Sequence, residues 1–271
     1  MIWPHATKLN PCPICGKEDW CTFGDKAMLC QRVESKWPAV KGGWYHYYGE
    51  TKPDYIPKAK LAPKSIDAFG FYRRCADSTL IDNSTLANQL GVSIASLNNL
   101  YCVWCNQFKA FAFPMSDANG NHIGIRLRNS AGFKWAVSGS RQGIFLPNVS
   151  YNETIKIAYL PEGPTDTVAL LTMGLFAIGR PTCNSGNDII KAALKRLKIY
   201  RAVIVADNDE IKATGKRPGL EGAIKLKKEL GLSSVIWMPP SPIKDVREFL
   251  NKGGTKQMIE SDIKNKVWSK S

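Results

Sequence analysis

Strand-like and helix-like segments alternate regularly along the last part of this chain. Short apolar runs are separated by longer segments with helical periodicity, and Gly174 and Gly231 follow two of these segments. Parallel strands need long crossover connections, so this alternation predicts a parallel sheet covered by helices. The expected strands are 155–160, 175–178, 202–206 and 234–238, and the expected helices are 165–173, with Thr165 as N-cap, 188–198 and 219–230.

Acidic residues follow two of these strands. Glu162 and Asp166 come after the first strand, and Asp207 and Asp209 come after the third. The carboxyl ends of parallel strands meet at one sheet edge, where open α/β folds place their sites, and hard divalent cations prefer oxygen ligands. The pattern predicts a magnesium or manganese site for phosphate chemistry. Asp166 has an alternative interpretation, because a carboxylate in a first helical turn also favours the helix dipole.

The whole chain is basic. Its 271 residues include 37 Lys and Arg against 23 Asp and Glu, which gives a net charge of +14. Such a balance favours a polyanionic partner, because neutralising phosphates releases condensed counterions. There is no run of eighteen apolar residues and no apolar signal-peptide core near Met1. We therefore expect a cytoplasmic protein without a membrane partner.

Four cysteines near the start of the chain have the spacing of a metal site. Cys12-Pro-Ile-Cys15-Gly16 resembles a zinc knuckle, and Cys21 and Cys30 are placed to lie on the two arms of a hairpin. Four thiolates would complete a tetrahedral structural Zn²⁺ site. Cys21 and Cys30 are further apart than in a common zinc ribbon, so His46 is an alternative fourth ligand and His5 a weaker one.

The remaining four cysteines are expected to be structural. Cys102 and Cys105 also have two-residue spacing, but no second pair follows and the surrounding residues are typical of a core strand. Isolated cysteines such as Cys75 and Cys183 most often behave as small buried hydrophobic residues.

The middle of the chain combines two short helices with a basic meander. The helices are expected at 83–91 and 92–100, and the strands at 108–114, 122–128 and 133–137. Period-two alternation puts Arg126 and Arg128 on one strand face, where two guanidiniums can grip phosphate oxygens. Lys134 and Arg141 are the other candidates for binding nucleotide or template, with solvated surface charges as the alternative interpretation.

These patterns predict three regions, with one linker between the first and the second. A zinc-ribbon-like module spans 1–50, a proline- and lysine-containing linker spans 51–66, a mixed α+β subdomain spans 67–150, and the parallel α/β domain spans 151–271. The final segment, from Lys264 onward, is predicted to be a loosely ordered basic tail.

The acidic region carries a family resemblance. Glu162-Gly-Pro-Thr-Asp166, the loop around Gly186 and the pair Asp207-x-Asp209 resemble the Toprim domain of DnaG-type primases, topoisomerases and some nucleases. Asp245 resembles a further acidic element that DnaG-type primases carry after the fourth strand.

The middle region narrows this resemblance to primases. The segments 111–117, 124–128 and 133–135 are similar to the phenylalanine-proline strand, the basic strand and the lysine-aromatic pair of the primase catalytic core. A zinc segment, a basic region and a Toprim domain in this order resemble a bacterial or phage primase over nearly the whole chain.

The resemblance implies two-metal nucleotidyl transfer from nucleoside triphosphates on a single-stranded DNA template. The implied metal ligands are Glu162, Asp207 and Asp209, with Asp166 and Asp245 contributing directly or through water. Glu162 has a second implied role as a proton shuttle, and Asp245 a structural alternative as the N-cap of a helix at 246–250.

The same resemblance gives further roles and leaves other classes open. Arg126 and Lys134 would contact nucleotide or template, and amides near Gly186 would add neutral donors. No G-x-x-x-x-G-K-[ST] loop occurs in the sequence, so a replicative helicase acting in trans is the implied partner. The alternatives are a Toprim nuclease or topoisomerase-like enzyme, and a nonenzymatic DNA-binding clamp similar to RecR, which also joins a zinc module to a Toprim domain.

Overall fold

The computed structural model describes residues 3–40, 42–49, 65–79, 81–148, 155–209 and 217–268, with side chains up to 264. The chain forms two compact units, Met1–Ala62 and Pro63–Ser271, called here unit 1 and unit 2. The predicted linker at 51–66 falls mostly outside the described residues. No helix in the described part of the chain has the length and apolar character needed to cross a membrane.

Unit 1 contains a small antiparallel sheet. Strands β1 (Thr22–Phe23), β2 (Ala27–Cys30) and β3 (Trp44–Tyr47) pair in chain order. The amide of Gly24 donates to the carbonyl of Ala27 (2.9 Å), which closes the tight β1–β2 hairpin. The buried cluster of this unit consists largely of cysteines with Ala6 and Met28, so unit 1 has little aliphatic core of its own.

The first part of unit 2 packs three helices against an antiparallel sheet. The helices are α1 (Ala68–Ser78), α2 (Ser84–Leu90) and α3 (Ile94–Asn99). The sheet has the strand order β4 (Val103–Cys105), β5 (Ala110–Ser116), β6 (His122–Arg128) and β7 (Lys134–Ala136). The expected helix pair and meander are both present, and Cys75, Cys102 and Cys105 are buried as expected.

The two faces of the antiparallel sheet pack against different neighbours. Phe111 and Phe113 of β5 contact α2, α3 and Val168 in one cluster. On the other face, Ile125 and Leu127 of β6 pack against α1. The sheet therefore lies between α1 and the elements that carry the acidic residues.

The second part of unit 2 is a parallel sheet flanked by helices, which confirms the predicted fold class. Strands β8 (Ala158–Leu160), β9 (Arg201–Val205) and β10 (Ser233–Trp237) are parallel, in the order β10-β9-β8. The helices are α4 (Gly163–Thr172), α5 (Asn187–Arg196), α6 (Pro218–Leu230), α7 (Val246–Asn251) and α8 (Lys256–Trp268).

Three local predictions were wrong. The run 175–178 forms no continuous strand, because its pairing is an isolated bridge of Ala177 with Tyr159, and the next residue, Gly179, makes a separate bridge with Phe145. Helix α4 begins at Gly163, so Glu162 takes the N-cap position and Thr165 is a buried helical residue. The predicted tail from Lys264 is helical as far as Trp268, because α8 continues through it.

Candidate functional site

The four predicted cysteines of unit 1 converge. The sulfur atoms of Cys12, Cys15, Cys21 and Cys30 all lie within 4.8 Å of one another. Four sulfurs at such spacing fit a tetrahedral thiolate site, of which Zn²⁺ is the usual occupant. The alternative with His46 was wrong, because the group consists of the four sulfurs without it and its Nε2 instead lies 3.1 Å from the carbonyl oxygen of Val33. His5 pairs with Thr22 through a backbone bridge and is not part of the cluster.

The loop around Cys12 has the geometry of a metal knuckle. The amide of Gly16 donates to the carbonyl of Cys12 (2.7 Å), and Gly16 has φ 68°, a left-handed conformation that favours glycine. The amide of Val33 donates to the sulfur of Cys30 (3.3 Å), and Nη1 of Arg32 lies 3.8 Å from the sulfur of Cys21. These donors stabilise thiolate charge.

The metal-free thiols do not titrate alike. Burial acts to raise the pKa of Cys15, but hydrogen bonds from Lys17 and the other thiols lower it to about 7. Burial raises the pKa of Cys21 to about 12, and it also raises the pKa of Cys30. A cation that held all four as thiolates would therefore displace protons, which links metal binding to pH.

The acidic residues of unit 2 gather at the carboxyl edge of the parallel sheet. Glu162 follows β8, and the amide of Gly163 donates to the carbonyl of Arg180 (2.8 Å). Asp207 follows β9, and the amide of the next residue, Asn208, donates to the carbonyl of Lys244 (2.7 Å). That bond holds the segment leading to Asp245 beside the loop after β9.

Burial and mutual repulsion perturb three of these carboxyls. Burial, together with the charges of Glu162, Asp245 and Asp209, raises the pKa of Asp207 to about 7. Burial and the charges of Asp245 and Asp207 raise the pKa of Asp166 well above its ordinary value. The pKa of Glu162 is also raised, chiefly by burial. These interactions place all five predicted carboxylates in one electrostatic group, called here the acidic cluster.

Two members of the acidic cluster also have structural contacts. The carboxylate of Asp245 accepts the amide of Glu248 (2.7 Å), so it does cap α7 as the structural alternative predicted. Asp209 accepts the amide of Gly219 at the start of α6 (3.3 Å). By contrast, Oδ1 of Asp166 is buried and has no hydrogen-bond partner among the described residues. An orphan carboxylate oxygen of this kind suits a cation or water.

Two of the predicted basic residues of the meander, Arg126 and Lys134, interact with the acidic cluster. Arg126 and Arg128 share the sheet face of Phe113 and Phe111, their cross-strand partners. Burial lowers the pKa of Arg126 and the charge of Glu162 raises it, so these two side chains interact. Lys134 of β7 keeps much of its surface exposed. Partial burial of its ammonium group lowers its pKa, whereas the charges of Asp166 and Asp245 raise it, so Lys134 interacts with the acidic cluster.

Two arginines of the site were missed by the sequence analysis. Arg180 is completely buried, and its guanidinium donates to the carbonyls of Val205 (3.0 Å) and Cys183 (3.3 Å). Burial lowers its pKa and the charges of Glu162 and Asp207 raise it. Arg247 lies 3.8 Å from Asp245. The available signal for Arg180 was its position at the end of the apolar run 175–179, at the same edge as the carboxylates.

The remaining predicted residues are placed differently. Gly186 directly precedes α5 with φ 85°, and a Cβ there would lie 2.7 Å from Pro181, so the position requires glycine. Arg141 is exposed after β7, outside the acidic cluster. Among the described residues, no three carboxylates approach one another as closely as the four cysteine sulfurs do.

No family model and no curated protein sequence matches this chain. Solved structures do match. The DnaG primase catalytic domain bound to ssDNA superposes with a TM-score of 0.54 at 14% identity, covering 73% of this chain and 77% of that one. The chain has the fold of a DnaG-type primase catalytic core.

Two further structures agree. The E. coli primase catalytic core gives a TM-score of 0.50 at 14% identity and covers 72% of this chain and 76% of its own. The Aquifex aeolicus primase, with zinc binding and RNA polymerase domains, gives 0.51 at 16% identity and covers 71% of this chain and 58% of its own. At such identities the likeness establishes the fold, and the activity must be argued from the residues.

Proposed function

We propose that this protein is a DNA primase that synthesises short primers on single-stranded DNA by nucleotidyl transfer. The observation that carries the proposal is that cationic side chains of one sheet interact with the acidic cluster of the other. Cationic side chains of the meander, Arg126 and Lys134, interact electrostatically with the acidic cluster of the parallel sheet. Carboxylates can bind divalent metal ions, and the neighbouring basic side chains can bind phosphate oxygens. This combination suits a reaction between a nucleoside triphosphate and a strand on a polyanionic template.

The donor chemistry fits hard divalent cations. All five carboxylates offer oxygen ligands, and Asp166 has a buried oxygen without a partner among the described residues. Glu162, Asp207 and Asp209 would hold the ions, with Asp166 and Asp245 contributing directly or through water. Bound Mg²⁺ or Mn²⁺ would lower the pKa of the attacking 3′-hydroxyl and stabilise the charge of the leaving pyrophosphate.

The protein's own residues would orient the reactants. In the transfer, the 3′-oxygen of the primer attacks the α-phosphorus of a nucleoside triphosphate and pyrophosphate leaves. Arg126, Arg128 and Lys134 would hold triphosphate or template oxygens, and the amides at the start of α5 after Gly186 would add neutral donors. The raised pKa of Glu162 also suits it to carry a proton on its carboxylate.

The cysteine cluster would bind Zn²⁺ as a structural site. Its four sulfurs fit tetrahedral coordination, and unit 1 lacks the aliphatic core that would otherwise stabilise a small unit. The partners we propose are single-stranded DNA, nucleoside triphosphates and a replicative helicase acting in trans.

A primer-synthesis assay tests the proposal. Purified protein is incubated with single-stranded DNA of varied sequence, labelled ribo- or deoxyribonucleoside triphosphates, and Mg²⁺ or Mn²⁺. We expect template-dependent primers from the wild type, and a loss of at least a hundredfold, as an order of magnitude, in Asp207→Asn. Asp82→Asn, which changes an exposed acidic residue just before α2, is the matched control and should keep full activity.

Three outcomes would contradict the proposal. Equal primer synthesis by the wild type and Asp207→Asn would reject the assignment of the acidic cluster. Cleavage of the DNA would favour a Toprim nuclease. DNA binding without any nucleotide incorporation, unchanged in Asp207→Asn, would favour a RecR-like clamp.

A further inference from the structure

Four aromatic rings surround a cavity of about 460 Å³ in unit 2 that the proposed reaction does not use. The ring centroid of His122 lies 5.3 Å from that of Tyr72, 5.6 Å from that of Tyr101 and 6.1 Å from that of Phe69. Arg73 and Asn121 complete the rim. We call this set of residues the aromatic pocket.

Two rings of the aromatic pocket are held in positions that packing alone does not favour. Phe69 of α1 is 56% exposed, although burial of a phenylalanine ring normally stabilises a fold. Tyr101 has φ 56°, a left-handed conformation that is unfavourable for a residue with a Cβ. Hydrogen bonds at the end of α3 hold Tyr101 in this conformation: the amides of Tyr101 and Cys102 donate to the carbonyls of Asn98 (2.9 Å) and Leu97 (3.0 Å).

The lining of the aromatic pocket is neutral and its rim is cationic. Burial raises the pKa values of Tyr72 and Tyr101 and lowers that of His122, so all of these rings are uncharged near neutral pH. Arg73 is exposed at the rim, where its only ion pair among the described residues is a solvent-exposed one with Asp77 (3.7 Å). A flat, neutral aromatic group with an anion attached would satisfy both features.

The aromatic pocket is separated from the acidic cluster by the antiparallel sheet. Arg126 and Arg128 share a face with Phe113 and Phe111. The helix α1, which carries Phe69, Tyr72 and Arg73, packs against the opposite face of that sheet. A nucleotide in the aromatic pocket therefore cannot be the one that meets the acidic cluster.

We propose that the aromatic pocket binds a base of single-stranded DNA by stacking, at a distance from the reaction site. Phe69 and Tyr101 supply the stacking faces, and Arg73 contacts the adjacent phosphate. Stacking on aromatic side chains tolerates any base, and a net charge of +14 favours a polyanion over a free nucleotide. The choice of polymer rests on the proposed function, but this binding needs no catalysis.

Fluorescence anisotropy with a labelled oligothymidylate tests this proposal directly. Phe69→Ala and Tyr101→Asn should each weaken binding by about five- to a hundredfold, because each removes a stacking ring. Asparagine tolerates the left-handed backbone, and Tyr101→Phe should restore wild-type affinity because it keeps the ring. Tyr200→Ala is the matched control, since Tyr200 is a 72% exposed aromatic residue outside the aromatic pocket.

Two other measurements decide between occupants. Thymidine monophosphate should compete weakly, and competition as strong as that of the oligomer would overturn binding of a polymer. Photocrosslinking of an oligonucleotide that carries 5-iodouracil should label Phe69 or Tyr101. Crosslinks confined to other residues, or wild-type affinity in both Phe69→Ala and Tyr101→Asn, would also overturn the proposal.

The same binding measurements are made in an Asp207→Asn background. We expect that protein to bind the oligomer as the wild type does but to make no primers. Binding at the aromatic pocket is then independent of catalysis at the acidic cluster. Failure of primer synthesis in the wild type would reject the proposed function without changing the anisotropy result. Circular dichroism of each variant verifies its folding.

Discussion

At the scale of single residues, Arg180 is the buried cation that allows several carboxylates to share one sheet edge. It is fully buried, it interacts with the charges of Glu162 and Asp207, and it ties the end of β9 to the loop at Cys183. Replacing one member of a buried charge group leaves the others uncompensated, which is more costly than losing a surface ion pair.

We therefore expect Arg180→Leu to lower the free energy of unfolding by about 3 kcal/mol at pH 8. The loss should shrink at pH 5, because Asp207, whose pKa is raised to about 7, is then protonated and needs no counter-charge. Urea denaturation at both pH values measures this. Arg141→Leu, at an exposed position, is the control and should change stability little; an equal loss in both variants would reject the role of Arg180.

A second prediction at this scale concerns Asp207 itself. Its folded pKa, about 7, lies above the ordinary value of 3.8, so its ionisation opposes folding. This cost is absent below about pH 4, grows as pH rises to about 7, and is constant above that. Without divalent cations, Asp207→Asn should be more stable than the wild type at pH 8, by up to about 4 kcal/mol, and equally stable at pH 4.

Thermal melts in a chelator-containing buffer measure the effect of Asp207→Asn. Asp188→Asn is the control of opposite sign, since Asp188 lies in the first turn of α5 and favours the helix dipole. If Asp207→Asn were less stable than the wild type at pH 8, the carboxylate would be stabilising the fold and the repulsion argument would be wrong.

At the scale of helices, the end of α2 is adapted to a close neighbour. Gly91 ends α2 with φ 68°, and a Cβ there would lie 2.1 Å from Oδ1 of Asn251 on α7. The side chain of Asn251 also donates to the carbonyl of Leu90 (3.1 Å). Gly174, after α4, has a similar φ of 74° but open space around its Cβ position.

The two glycines form a matched pair for substitution by alanine. Gly174→Ala should cost about 1 kcal/mol, from backbone strain alone. Gly91→Ala should cost about 1 kcal/mol more, because Asn251 must move and lose its hydrogen bond to Leu90. Chemical denaturation measures both values, and equal costs would show that Asn251 relocates freely.

The elements also show what the sequence can and cannot predict. Periodicity located β9, β10, α5 and α6 within one or two residues, because each has a complete apolar pattern. The run 175–178 is apolar too, but its backbone bonds with Tyr159 while that of the next residue, Gly179, bonds with Phe145, and such a choice of partners depends on tertiary packing. Helix α1 was missed because aromatic residues hide its helical pattern, although Asp67 is an N-cap that accepts the amide of Gly70 (2.9 Å).

The same distinction applies to the site. Carboxylates at strand ends were predictable because sheet topology alone brings such positions together. The burial of Arg180 was not, since a lone arginine after an apolar run is usually a solvated charge. For the cysteines, the spacing alone left His46 as an alternative, and the convergence of four sulfurs in space removed it.

At the scale of the whole molecule, the two units depend on different sources of stability. Unit 2 has several extended apolar clusters, whereas the buried cluster of unit 1 is mostly cysteine. A small unit without a sizeable apolar core needs a metal to fold, and its metal-binding free energy is then its folding free energy.

Calorimetry should therefore resolve two unfolding transitions in the zinc-loaded protein. A strong zinc chelator should remove the transition of unit 1 and leave that of unit 2 unchanged, since all four converging sulfurs belong to unit 1. Cys12→Ser should behave like the chelated protein and lose zinc in elemental analysis, whereas Cys183→Ser, outside the cluster, should keep it. A wild type without bound zinc, or a single transition that chelation leaves intact, would show that packing alone stabilises unit 1.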